Sequence, residues 1–345
     1  MTKASRIRWI DALKGISILI ICFIHLENWT SLFIDKQFIH RVISFGTLGV
    51  ELTFICNGIL LCSKYNALDD CKGNVYCRGG VLMNSILRII PLYYISLIVF
   101  LLLNYLGVLN EHPSIINIIS HFFLFSVISP VWWNTFAGTG YISVLVASWV
   151  FFFFYKRRIK DFETSLIGFS LTLFITFVLK VFIVKFPLIQ NHLLWNEYIG
   201  YIFRGIQSFS FAPVIYYFPK TWISSLKFPR FISYSLICIS SICIFIALLY
   251  NVSDNIIYIA LSIPFLLGIQ IYEIKYVVNK FFCFLGEYIF GIYLGHILIY
   301  IVISSFIDSI TLIWFLDITL AIGFSILLNH FIEKPFKVFV DKWRK

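Results

Sequence analysis

Ten apolar stretches of about membrane-crossing length run through this chain, at 10–29, 44–63, 89–107, 141–155, 164–184, 199–218, 231–250, 255–273, 283–304 and 309–331. A hydrocarbon core about 30 Å thick takes roughly 20 helical residues to cross. Backbone groups inside it must be hydrogen-bonded within the segment. The pattern therefore predicts an all-α fold, a polytopic transmembrane helix bundle of about ten spans. Composition agrees: 60% of the residues are hydrophobic and 13% charged, against about 25% charged in soluble domains. No internal repeat, low-complexity block or soluble appendage is visible, so residues 1–345 read as one integral-membrane domain.

Basic residues orient the bundle, because cytoplasmic loops carry an excess of Lys and Arg. The N-terminus, the 64–88 loop, the 156–160 loop, the 220–230 and 275–280 loops and the tail hold 21 of the 27 Lys and Arg residues. An even span number then puts both termini in the cytoplasm. The net charge of +10 is accounted for by basic loops facing anionic lipid, which argues for a lipid bilayer and against nucleic acid as a partner. A further apolar run, 115–128, would break the parity if it crossed. It is expected to be a re-entrant or interfacial helix, with His121 in a protein-covered place. Lys14 and the lack of a small-residue cleavage site mark the first span as retained.

Ionisable groups within spans are costly and read as functional candidates. Lys14 and His25 are eleven positions apart on the first span, close to three helical turns, and so share a face at a depth separation of roughly 16 Å. His25 could be a base, a nucleophile, an imidazolium or a structural histidine bonded to a carbonyl. Glu27 and Asn28 follow it, and Glu51 on the next span could orient its ring. Arg204 and Lys180 also lie within spans, with Asp317 and Glu287 as candidate partners. His121 and His296 divide between lining a cavity and structural bonding. Trp132 and Trp133, on an expected external loop, could stack on a sugar. The cysteines form no metal-ligand pattern, and no metal site is expected.

Five segments together resemble the membrane acyltransferase-3 family. Arg8-x-x-Asp11-x-x-Lys14-Gly15 followed by His25 is similar to its first helix. Gly49-Val50-Glu51-Leu52-x-Phe54-Ile55-x-Asn57-Gly58 is similar to its second, with Asn57 at a position usually held by serine. Leu87-Arg88-Ile89-Ile90-Pro91-Leu92-Tyr93 resembles the start of its third. Leu285-Gly286-Glu287 with Gly291-Ile292-Tyr293-Leu294-Gly295-His296 resembles a late helix, and Ile332-Glu333-Lys334-Pro335-Phe336 its tail. Two departures stand out. Ser85 occupies the place of a frequent first arginine, and 138–144 lacks a glutamate that many members carry.

The resemblance implies an O-acyltransferase of the bacterial cytoplasmic (inner) membrane. It would move an acyl group, mostly acetyl from acetyl-CoA, onto a hydroxyl of a surface glycan such as O-antigen. It implies His25 as base or acyl relay, with Lys14 and Glu51 in the catalytic set. Arg88 and Arg78 would meet the donor's phosphates, with Lys72 able to compensate for Ser85. Asn57, His121 and His296 would line the cavity. Acetyl-CoA is then a substrate rather than a permanently bound cofactor, and the acceptor is a lipid-linked or polymeric carbohydrate. The rival reading is a transporter or flippase of a glycan intermediate, for which the intramembrane charges would line a pathway. Such a fold usually carries internal symmetry, and none is visible.

Overall fold

The computed structural model describes residues 7–30, 36–69, 75–108, 115–124, 137–185, 193–222, 229–250, 255–272, 277–307 and 309–343. Among them the chain is helical, without a strand. The helices are α1 Arg8–Thr30, α2 Lys36–Asp69, α3 Val75–Tyr105, α4 Ile115–Phe122, α5 Ala137–Tyr155, α6 Phe162–Lys185 and α7 Leu193–Trp222. They continue with α8 Pro229–Leu249, α9 Asn255–Ile271, α10 Lys280–Glu287, α11 Ile289–Ser304 and α12 Ile310–Leu328. A π-helical turn, Asn329–Glu333, then leads into α13, Lys334–Trp343.

Each of the ten apolar stretches falls on these helices. Among the described residues, five segments are long and apolar enough to cross a membrane: Leu48–Ala67, Gly79–Tyr105, Phe162–Val181, Pro229–Ala247 and Leu312–Val340. A sixth results if α10 and α11, which break at Tyr288, count as one span. Large apolar side chains cover the outside of α6 and α8, including Ile167, Phe174 and Phe177 on one and Ile239, Ile242 and Phe245 on the other. Water would penalise so much contiguous apolar surface, and lipid does not. This is a membrane protein.

Helix extends further into the polar 64–88 segment than the sequence pattern predicts. α2 runs to Asp69 and α3 starts at Val75. Arg88 therefore lies inside a helix rather than in a loop, because helix propagation follows backbone hydrogen bonding and not the hydropathy boundary. The short apolar run at 115–128 contains α4, whose eight residues span only about 12 Å. So short a helix is marginal alone, and two tyrosines of α3 hold its end. Tyr93 donates to the carbonyl of His121 at 2.8 Å and Tyr94 to that of Phe122 at 2.8 Å. Both carbonyls belong to the last turn, where helical partners run out.

The basic cluster Lys156, Arg157, Arg158 and Lys160 falls in the turn between α5 and α6. There Asp161 caps α6 by accepting from the Thr164 backbone at 2.8 Å, and Thr164 Oγ1 accepts from the Asp161 backbone at 3.2 Å. This is a reciprocal arrangement of the capping-box type.

The chain forms two compact units, whose boundaries fall inside α3, α5, α6 and α7 and at the break between α10 and α11. The first comprises Met1–Val81, Ser148–Leu179 and Phe203–Glu287; the second comprises Leu82–Ala147, Lys180–Ile202 and Tyr288–Lys345. The first unit is centred on Ile10, Leu13, Ile55, Ala212, Leu266 and Ile269, all fully buried. In it α1 lies against α10 with almost no space between backbones. A Cβ on Gly15 would collide with the backbone of Phe282, and one on Gly286 with that of Asp11. Asn279 starts α10 at this crossing by accepting from the Phe282 N–H at 2.9 Å. The second unit repeats the device where α11 meets α12. Gly291 sits against Ser325, and a Cβ on Gly295 would stand 2.7 Å from the Phe324 ring. Small residues four apart are what close helix pairs in lipid require.

Gly15→Ala and Gly286→Ala are each expected to lower the unfolding midpoint of the purified protein, at an overpacking cost of roughly 1–3 kcal/mol. Gly323→Ala, where an added Cβ meets nothing within 4 Å, is expected to be neutral or stabilising. Thermal unfolding in detergent compares the three; a uniform response would refute the packing argument.

Candidate functional site

In the first unit α1 is unbroken from Arg8 to Thr30, so the three-turn spacing of Lys14 and His25 holds and both lie along one face. Lys14 is buried, while His25 is half-buried. Beside Lys14 on α2 lies Cys56, fully buried and within the field of both Lys14 and Asp11. Ser17, one turn from Leu13, returns its hydroxyl to the Leu13 carbonyl at 2.7 Å. On α2, Thr53 donates to the Gly49 carbonyl at 3.0 Å and Asn57 Nδ2 to the Thr53 carbonyl at 2.9 Å. Asn57 is thus buried and bonded to its own helix, in the manner that satisfies polar side chains without partners from elsewhere.

Glu51 is the most heavily engaged of the expected residues. Its carboxylate is fully buried on α2. One oxygen accepts from Arg204 Nε at 2.8 Å and the other from the Ser208 hydroxyl. Arg204 and Ser208 are four apart on α7 and therefore face α2 together. Arg204 is thus paired with Glu51, a partner that its place in a span had not suggested. Asp317 is buried on α12 beside Tyr300, and Lys180 is exposed.

A side chain and a backbone carbonyl further along α7 tie it to its neighbours. Gln207 donates to Thr176 Oγ1 of α6 at 2.7 Å, and the Ser210 carbonyl accepts from Tyr155 of α5 at 3.1 Å. Sequence reasoning missed Ser208 and Gln207. The only sequence signal for Ser208 was its spacing of four from Arg204.

The second unit holds the remaining candidates. His296 is fully buried, and its Nδ1–H donates to the Ile292 carbonyl at 3.1 Å. Its ring lies 5.7 Å from that of Tyr293, which in turn meets Tyr141 at 4.6 Å. His121 is buried at the end of α4. Arg88 is paired through Nε with Glu333, and the other Glu333 oxygen accepts from Asn329 at 2.9 Å. Arg78 lies on α3. Its side chain, those of Glu27 and Asn28, and the whole of Lys72, Trp132 and Trp133 lie outside the described residues.

The arrangement is that of a membrane protein with buried, mutually neutralised charge and one half-buried imidazole. The family described as an acyltransferase domain, acyltransferase-3, matches residues 7–330. The chain belongs to that family and is an acyltransferase. No curated protein and no solved structure matches it.

Arg204→Leu would leave the Glu51 carboxylate buried without its counter-charge, a change that typically costs about 3–5 kcal/mol. The Glu51→Leu/Arg204→Leu double variant is expected to be less destabilised than either single variant. A double-mutant cycle of unfolding midpoints checks this, and simple additivity would contradict a coupled pair.

Proposed function

We propose that this acyltransferase is a multi-pass protein of the bacterial cytoplasmic membrane with both termini inside. It transfers acetyl from cytoplasmic acetyl-CoA to a hydroxyl of a surface glycan such as O-antigen. The observation that carries the reading is the unbroken α1 helix, with Lys14 buried and His25 half-buried on one face. An imidazole at that position can take the proton of a hydroxyl brought against it.

A sugar hydroxyl is a weak nucleophile. Its proton must leave as oxygen attacks the thioester carbonyl, so that a C–O bond forms while the C–S bond breaks. His25 either takes that proton, to return it to the departing thiolate, or carries the acyl group as a transient acyl-imidazole. Glu51, with Arg204 and Ser208, holds α2 against α7 and supports the site indirectly. Arg88 serves the phosphates of the donor, a role that suits a guanidinium.

His25→Ala is expected to lower transfer by roughly 10²–10⁴-fold, the usual share of a positioned base, with the protein still inserted in the membrane. Mass spectrometry of surface glycan reads the outcome. Loss of one acetyl mass per repeat unit in the variant supports the assignment, and unchanged acetylation removes His25 from the chemistry. Arg88→Ala is expected chiefly to raise the KM for acetyl-CoA, and an unchanged KM removes it from the donor.

A further inference from the structure

Glu333 closes the π-helical turn between α12 and α13. The sequence cause of that turn is two residues on. Pro335 has no N–H for the carbonyl of Phe331, and its ring would crowd that carbonyl in a regular helix. The widened turn, closed by the Lys334 N–H on the Asn329 carbonyl, relieves the conflict. It leaves Asn329 and Glu333 side by side, with Asn329 Nδ2 donating to one Glu333 oxygen at 2.9 Å. The other oxygen accepts from Arg88 Nε.

The two partners of this ion pair are unequal. The Glu333 side chain is 14% exposed and that of Arg88 is 49% exposed. A pair so open to solvent adds little stability. Its effect is geometric. The carboxylate is held from one side by Asn329 and grips the Nε edge of the guanidinium. Among the described residues Arg88 makes no other hydrogen bond, and with half of the side chain exposed its two terminal nitrogens remain as an open fork. Such a fork, held by its third nitrogen, is what bidentate phosphate recognition requires.

We propose that Glu333, anchored by Asn329, is a positioning residue that aims the terminal nitrogens of Arg88 at the phosphates of the acyl donor. This rests on the donor role given to Arg88 above. It also assigns a task to the Glu-Lys-Pro-Phe tail: the proline makes the turn, and the turn presents the glutamate.

The test is a double-mutant cycle on the full-length protein in detergent, with binding of acetyl-CoA as the readout. Glu333→Gln is expected to weaken binding by up to ~10-fold, the loss of one charge-assisted contact. Arg88→Ala is expected to weaken it at least as much, and the double variant no more than Arg88→Ala alone. Glu333→Asp, which keeps the charge but withdraws the acceptor by one methylene, is expected to behave like Glu333→Gln and guards against a folding artefact. The charge-swapped Arg88→Glu/Glu333→Arg protein is expected to keep the unfolding midpoint of the parent but not its affinity. If Arg88→Ala binds acetyl-CoA normally, the donor role of Arg88 fails and the positioning role fails with it. If Arg88→Ala weakens binding while Glu333→Gln does not, or the two losses add, the positioning role alone is overturned.

Discussion

A guanidinium inside an apolar body has to be neutralised where it stands, and Glu51 does this for Arg204. The carboxylate is fully buried, and its second oxygen is taken by Ser208. Neither charge could be carried at that depth without the other. The pair therefore fixes α7 against α2 in register as well as in distance. Gln207 and Ser210 extend the constraint to α6 and α5. The same helices α2 and α7 also contribute to the apolar cluster of the first unit, with Ile55 and Ala212 packed among residues of α1 and α9.

The family motifs acquire physical meanings that differ from one another. Gly15 and Gly286 belong to two motifs far apart in sequence, yet they are the two halves of one backbone-to-backbone contact. Arg88 and Glu333 likewise come from separate motifs and form one ion pair. Gly291 and Gly295 make room for α12. Lys14 is buried on α1, and His25 lies three turns along the same face.

The helical class and the place of every apolar stretch were legible in the sequence because hydropathy and helix period are local signals. The short helix at 115 was legible as a segment that does not cross. The tyrosine hydroxyls that cap it were not, since Tyr93 and His121 are 28 residues apart. The pairing of Glu51 with Arg204 bridges 153 residues, and nothing in either neighbourhood marks the other. Sequence placed Arg88 in a loop because its charge stands just before the apolar run that starts at 89, whereas the backbone there is already helix. His25 and Lys14 were legible because an ionisable residue in an apolar run is conspicuous wherever its partners lie.

The α1–α10 contact also bears on how the protein is made. Gly286 follows Gly15 by 271 residues, and at ~5–20 residues per second the ribosome needs about 15–50 s to deliver it. α1 thus leaves the ribosome long before α10, the helix packed against its Gly15. For that interval the Asp11 and Gly15 surface of α1 is without the backbone that later covers it. A fault in α10 would therefore show itself as a failure of late assembly, in chains that had already inserted α1 correctly.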